Sequence, residues 1–585
     1  MYTTTILSSL ILLGNAVAID CRPPGPVVPK PRNLHANELF AQATANLTDA
    51  LESALNGTIV AGWPVENTSF SIGLVSWDQP EKAVPTWEYH HLAPTNVNGT
   101  KHLTRDSQYL IGSISKVFTD YILLQSGLEL DNPITEYLSV LQDEASLIHW
   151  RNITLRHLAS QVAGIPPNYG FSEYYYLKEY FVALGFPLLP DSDYPPCGVL
   201  ELNGGCTKDQ FFQGMLSSYP VAAPESRPVY SNIAFNLIVY AIQEQTGQNY
   251  TELLRDFVTT PLGLSNTMVS PGDDSKAVIP PVDNSWGSDY GDNAPGGGLV
   301  SSLSDLSIFI RGILDHSILE SETEVLQWLK PSSSTGSPSS LVGMPWEIYR
   351  TQELTPAHPH TIDIYAKAGS AYGYQSHMAV IDEYGVAVVV LTAGSAKATD
   401  IIYGTVLSTL IPAIDEIARS QAAQYTGSFV SVADGGVNAT LVQDDDSLVL
   451  AGLRRNGTDV LEGLFEINRV AIGGFLNVEP SRARLYPVGV ETPGSCPRPN
   501  GSNGTVVLED WRVDWVFEMR SDSELPGAAL TAGDCLTWTL ADWIHYGSEP
   551  LDRVVFVLDP QTRQVLGVEV PFIRSGVLGK SESGD

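Results

Sequence analysis

Basic residues are scarce in this 585-residue chain: 32 Lys and Arg stand against 66 Asp and Glu, a formal net charge of -34. So acidic a surface repels nucleic-acid phosphates and anionic lipid, which removes both as expected partners. Cysteine is sparse too, at five, and no two stand in a Cys-x-x-Cys spacing, so thioredoxin-like and zinc-ribbon readings fall away. No His-Glu-x-x-His occurs. His358-Pro-His360-Thr-Ile-Asp363 resembles a metallo-hydrolase motif only faintly, with its Asp one place late and no His after it. No metal site and no cofactor are expected. The triple glycine at 296–298 lacks the strand and spacing of a nucleotide loop and reads as a turn or cleft rim. Beyond the first residues, no apolar run approaches the roughly 18 residues of a membrane span. The C-terminal KSESGD carries no lipid-anchor signal, so no stable membrane anchor is expected.

What is present points to a secretory protein. Residues 1–18, MYTTTILSSLILLGNAVA, pair an apolar run with a small-residue end, which predicts a cleaved signal peptide despite the lack of an opening Lys or Arg. Asn-x-Ser/Thr triplets begin at Asn46, Asn56, Asn67, Asn98, Asn152, Asn249, Asn438, Asn456, Asn500 and Asn503, and such a series predicts surface glycosylation. In an oxidising compartment five cysteines make two disulfides with one left over. Cys197 and Cys206 flank a Gly-rich loop and form one expected pair; Cys496 and Cys535, across a β region, form the other, leaving Cys21. Spacing alone does not fix that connectivity.

The chain divides by its periodicity. A helix is predicted near residues 36–55, followed by strands at IVAGW, SFSIGLVSW and TWEYHHL, the middle one alternating like a half-buried strand. Helical patterns follow at 113–127, 153–165 (stopped by Pro166-Pro167) and 231–247, the last ending in Gly247 as a C-cap. Residues 168–228 are a long irregular insertion whose tyrosines, Tyr174, Tyr175 and Tyr176, either line a cleft or pack on themselves. The stretch 291–314 reads as a Gly-rich turn into a helix. IDIYAKAG, QSHMAVIDEY and GVAVVVLTAG predict an antiparallel meander, closed by a helix over 400–424. From Tyr425 short strands dominate, RVAIGGFLNVEP and CLTWTLADW among them, and predict an all-β module, a sandwich or barrel. The expected organisation is a signal peptide at 1–18, a domain over 19–415 and a β module over 425–585, with the boundary near 412–425.

Chemistry concentrates at IGSISKVFT. Ser113 and Lys116, three residues apart on a helix, share a face, and a neutral lysine there can take the hydroxyl proton. With eleven lysines in the chain, about one Ser-x-x-Lys is expected by chance, so the pair alone is weak. Its company is not. Tyr230-Ser231-Asn232 precedes a helix, and Lys367-Ala368-Gly369-Ser370 lies on a strand. Alone, Tyr230 reads as a buried aromatic and Lys367 as an ordinary strand lysine. Ser-x-x-Lys, Tyr-x-Asn and Lys-x-Gly, in that order, are the three-part signature of penicillin-recognising serine enzymes.

On these motifs, with GLELDNPITEYL, ITLRHLASQVAGI, TTPLGLSNTM and AKAGSAYGYQS in support, residues 35–415 resemble the serine β-lactamase/transpeptidase-like superfamily. Within it the chain resembles class C β-lactamases and their D-Ala-D-Ala carboxypeptidase and esterase relatives, which implies an esterase, amidase or D-Ala-D-Ala carboxypeptidase type of serine hydrolase. More narrowly it resembles secreted fungal β-lactamase-like proteins with an additional C-terminal β domain. The resemblance implies an α/β (α+β) fold: an antiparallel sheet flanked by helices, a helical subdomain, and then the all-β domain. It implies that Ser113 is acylated, that Lys116 is the base or keeps the base deprotonated, and that Tyr230 shuttles the proton. Asn232 would hold the substrate amide or carbonyl, and Lys367 would supply positive field or attract a carboxylate. The N–H groups of Ser113 and Ser370 would bind the oxyanion, with Gly369 allowing close approach of the acyl group. Two departures stand out. Ala368 replaces the family's Thr or Ser and lacks its carboxylate-binding hydroxyl, which disfavours β-lactams. Gln161 replaces a His and is expected to be structural, as is His157. The function implied is hydrolysis of a small ester or amide through a Ser113 acyl-enzyme. The alternatives are acyl transfer by the same intermediate, as in fungal secondary metabolism, and a non-catalytic binding glycoprotein.

Overall fold

The computed structural model describes residues 22–431, 436–476, 478–497, 503–519 and 537–581. The expected signal peptide, Cys21, Asn500 and Cys535 lie outside them, as do the side chains of Cys496 and Asn503. Two compact units are present, one of Pro31–Ile417, the other of Ala418–Asp585 with the residues before Pro31.

The first unit is built on an antiparallel sheet. Its strands are β1 (Ser69–Ser76), β2 (Trp87–His91), β3 (Ser333–Ser334), β4 (Ser340–Val342), β5 (Glu347–Thr351), β6 (Ile362–Ala371), β7 (Tyr374–Ile381) and β8 (Val386–Ala393). They run in the order β2-β1-β8-β7-β6-β5-β4-β3, so the predicted meander is β6 to β8. β1 is buried along its whole length rather than on one face. Its serines mimic a polar face, but Ser69 accepts from the Ala93 amide at 2.9 Å and Ser71 bonds Tyr109 at 2.9 Å, so both survive burial. IVAGW forms no strand: Ile59 and Val60 stand exposed in a turn, their apolarity unsupported by alternation.

Helices α1 (Ser115–Gln125), α2 (Ile233–Thr246) and α3 (Leu303–Leu314) build the core with the sheet. α2 is buried continuously from Ile233 to Ile242, as a central helix must be, and ends on Gly247 at φ 73°. Residues 153–165 hold only a short helix, Leu155–Ala159; the chain turns at Gln161, φ 62°, well before the prolines. The insertion is less irregular than expected, with helices Lys178–Ala183 and Lys208–Ser217 and a Cys197–Cys206 disulfide whose Cα atoms lie 4.9 Å apart. A strand, Leu299–Ser302, separates the triple glycine from α3, and Ser302 caps that helix by accepting from the Asp305 amide. Helix α4 (Ala396–Ala422) is long and apolar enough to cross a membrane by composition, against the expectation for this part of the chain. Ala398, Ile402, Val406, Leu410, Ile414 and Ile417 are nonetheless buried at helical spacing, the pattern of a core helix.

The second unit closes an antiparallel barrel. Strands β9 (Gly427–Ser431), β10 (Val437–Gln443), β11 (Leu448–Arg455), β12 (Val478–Pro497), β13 (Asn503–Met519), β14 (Arg553–Leu558), β15 (Val565–Glu569) and β16 (Val577–Lys580) pair in the order β10-β9-β16-β15-β14-β13-β12-β11. Pairing of β10 with β11 completes the ring. Closure leaves no open edge among these strands. Two predicted strands are helical instead. The Val460–Asn468 helix, capped by Asp459, runs into a π-helix over Arg469–Gly473, and Thr537–Leu540 is a short helix.

Candidate active site

Ser113 sits in a tight turn, Gly112–Ile114, that leads into α1. The turn lies against β6 so closely that a Cβ on Gly112, at φ 51°, would stand 2.3 Å from the Ser370 nitrogen. A Cβ on Gly369 would meet the Ile111 carbonyl at 2.1 Å and Ser376 Oγ at 2.4 Å. Ser376 Oγ donates to that same carbonyl at 2.8 Å. Gly369 is therefore required where β6 and the Ser113 turn touch. The contact brings the Ser113 and Ser370 backbones together. β5 pairs with β6 only as far as Glu347 opposite Ala366, so the edge of β6 beyond it is open. Because N–H direction alternates along a strand, Ser370 N–H faces the same edge as Ala368 N–H.

Ser113 Oγ lies 2.9 Å from Lys116 Nζ and 2.6 Å from Tyr230 OH. Lys116 is fully buried. Burial first, then the charge of Lys367, holds its amine well below the ordinary lysine range, against opposing pulls from Glu347 and Asp120. Its other partners are Asn232 Oδ1 at 2.8 Å and the Gly296 carbonyl. A neutral amine fits this set: it donates to the two carbonyl oxygens and accepts from Ser113 O–H, while Tyr230 O–H donates to Ser113 Oγ. The triple glycine thus forms a wall of the site, where the sequence pattern indicates only a rim.

The Tyr230–Asn232 segment is clamped in place. Gln161 Oε1 accepts from Ser231 N–H, its Nε2 donates to the Ser231 carbonyl at 3.3 Å, and its own carbonyl takes Val229 N–H at 2.8 Å. Asn232 Nδ2 donates to Asn168 Oδ1 at 2.8 Å, fixing the amide so that its oxygen faces Lys116. Lys367 Nζ lies 5.2 Å from the Tyr230 ring centre, Lys116 Nζ 4.9 Å. Lys367 is also bound to Glu347 Oε1, at 2.5 Å. All the residues expected at the site, Ser113, Lys116, Tyr230, Asn232, Lys367, Gly369 and Ser370, come together here.

Asn168 and Glu347 escape a reading of the sequence; the triple glycine is visible there, but the part its Gly296 carbonyl plays is not. Asn168 is the first polar residue after the double proline, a position that could have drawn notice; Glu347 belongs to no motif. The insertion tyrosines face one another instead: Tyr174 packs on Tyr176, and Tyr175 bonds Asp191 at 3.0 Å beside Tyr194. His157 completes a helix cap with Thr154 and bonds Glu225 at 3.1 Å. His360 pairs with Glu383 at 2.9 Å. Among the described residues no group of three or more His, Cys, Asp or Glu is placed to hold a metal ion.

A family model described as Beta-lactamase matches residues 81–407, and one described as Beta-lactamase-like-like, C-terminal domain matches residues 417–581. A beta-lactamase-like protein of Arthroderma benhamiae is 43% identical, covering 96% of this chain and 96% of its own. A probable hydrolase of Phoma sp. is 26% identical over 97% of this chain and 93% of its own length. Among solved structures, a D-stereospecific amidohydrolase from Streptomyces sp. matches with a TM-score of 0.44 at 18% identity, covering 62% of this chain and 98% of that one. The chain belongs to the beta-lactamase family of serine hydrolases, in the branch that carries a C-terminal β-barrel domain.

Proposed function

We propose that this chain is a secreted serine hydrolase that forms an acyl-enzyme on Ser113 and cleaves an ester or amide. One observation carries the reading: Ser113 Oγ lies within hydrogen-bond reach of a buried, low-pKa lysine and of Tyr230 at once. Neutral Lys116 takes the hydroxyl proton as Oγ attacks the carbonyl carbon. The developing oxyanion is held by the N–H groups of Ser113 and Ser370, and each such donor is worth roughly 100-fold or more in rate. Tyr230 returns a proton to the leaving group, the acyl group stays on Oγ, and water then repeats the attack with the roles reversed. Ala368 supplies no hydroxyl for a β-lactam carboxylate, so β-lactams are not the favoured substrates.

The test pairs wild type with Ser113→Ala on a serine-reactive probe, p-nitrophenyl esters, nitrocefin and D-Ala-D-Ala peptides. Wild type should gain one covalent adduct and turn over at least one ester or amide. If wild type labels and turns over no more than Ser113→Ala, the reading is wrong. Secretion is supported by the Cys197–Cys206 disulfide and by sequon asparagines Asn46, Asn56, Asn98, Asn152, Asn249 and Asn456 standing exposed. A mass drop on glycosidase treatment of protein from culture medium would test it.

A further inference from the structure

Lys367 is the cation expected to meet a substrate carboxylate, and it already holds one. Glu347, on the neighbouring strand opposite Ala366, places Oε1 at 2.5 Å from Lys367 Nζ and accepts Ala368 N–H through Oε2 at 3.0 Å. Lys367 spends a second proton on the Ala368 carbonyl at 2.9 Å. The arrangement is asymmetric in exposure: the lysine side chain is 2% exposed and the glutamate side chain 45%. The carboxylate therefore lies on the open side, with the cation behind it. It also covers an N–H on the same strand edge as the Ser370 amide, two residues or about 7 Å away.

A substrate carboxylate arriving at this edge meets a fixed negative charge, no hydroxyl at Ala368 and an ammonium already neutralised. At a few ångströms two carboxylates repel strongly, and expelling Glu347 would strand either it or Lys367. The net charge of -34 adds a long-range penalty for anions. We infer that Glu347 is a specificity-determining residue that fills the carboxylate subsite beside Lys367, so that the site selects esters or amides uncharged next to the scissile bond and rejects those bearing a carboxylate there. This rests on the proposed Ser113 acyl-enzyme.

A matched pair tests it: hippuryl thioglycolate, with a carboxylate next to the scissile thioester, and its methyl ester, followed by thiol release. Wild type should favour the methyl ester by tenfold or more in kcat/KM. In Glu347→Gln the ratio of carboxylate to methyl-ester turnover should rise at least tenfold. An unchanged ratio, including equal loss on both substrates, overturns the inference. The same pair is titrated calorimetrically against Ser113→Ala and Ser113→Ala/Glu347→Gln. The Kd ratio should move in the same direction, and a fixed ratio counts against Glu347. Failure of the acyl-enzyme reading shows separately, as no covalent mass on wild type with either thioester, and the binding ratio still decides the role of Glu347.

Discussion

Gln161 brackets the backbone of Ser231, accepting its N–H and donating to its carbonyl at 3.3 Å. The residue on one side of Ser231 carries the phenol that bonds Ser113, and the residue on the other carries the amide that bonds Lys116. One buried side chain at a left-handed backbone position thus sets the spacing between the partners of Ser113 and Lys116. The family resemblance implies a structural role for Gln161, and its contacts give that role a location.

Gln161→Ala should cost about 2 kcal/mol, two buried hydrogen bonds at about 1 kcal/mol each, read by urea unfolding. Its acylation rate with the serine-reactive probe should fall about tenfold or more with the fold retained. Gln161→Gly relieves the positive φ yet restores neither bond, so it should regain some stability and no rate. Recovery of rate in the glycine variant would mean that backbone strain, not the bracket, positions Tyr230 and Asn232.

The charges around Lys116 give opposite signs for two variants. Lys367 lowers its pKa and Glu347 raises it. The proposed mechanism needs the neutral amine, so the acid limb of the acylation rate against pH should follow Lys116. Removing the cation in Lys367→Met should shift that limb to higher pH, and Glu347→Gln should shift it to lower pH. Shifts of the same sign in both would remove Lys116 as the titrating base.

Gly369→Ala should be among the most damaging single-atom additions in the chain. Its Cβ would meet the Ile111 carbonyl at 2.1 Å, a backbone atom that cannot swing aside. A loss of about 3 kcal/mol is expected from such overpacking, with loss of probe labelling. Gly404→Ala, in helix α4 with open space around it, should instead gain about 0.5–1 kcal/mol. Comparable thermal shifts in the two variants would contradict the close contact between the nucleophile turn and β6.

Which parts are legible in the sequence follows from the physics. Ser113 and Lys116 lie one helical turn apart, and Tyr230 and Asn232 two residues apart, so their geometry is local and visible as spacing. Glu347 reaches Lys367 only because β5 and β6 pair with Glu347 opposite Ala366, and register does not show in a short strand. Gly296 contributes a carbonyl, which every residue has. RVAIGGFLNVEP reads as strand on its β-branched residues, yet the helix that runs into it begins upstream at VLEGLFEIN. Asp459 at that N-cap is the start signal, easily lost among turn residues. β1 misleads through buried serines, whose partners Tyr109 and Ala93 are distant or off the strand.

Asp120, one turn along α1 from Lys116, is buried, and neither carboxyl oxygen has a hydrogen-bond partner among the described residues. Burial pushes its carboxyl well above the ordinary range, a pull that outweighs the opposing charge of Lys116. The raised value weakens the counter-charge that Asp120 offers Lys116. The sign of the linkage follows from the raised value. Below about pH 4 both folded and unfolded chains hold the proton. As pH rises above that, the unfolded chain releases it while the folded one keeps it, so stability falls by about 1.4 kcal/mol per pH unit until the folded carboxyl titrates. Asp120→Asn keeps the shape and cannot titrate. Urea unfolding from pH 4 to 8 should show wild type losing stability relative to Asp120→Asn as pH rises. A constant difference across the range would mean that Asp120 ionises normally inside the folded protein, and Lys116 would then face a buried carboxylate that favours its charged form.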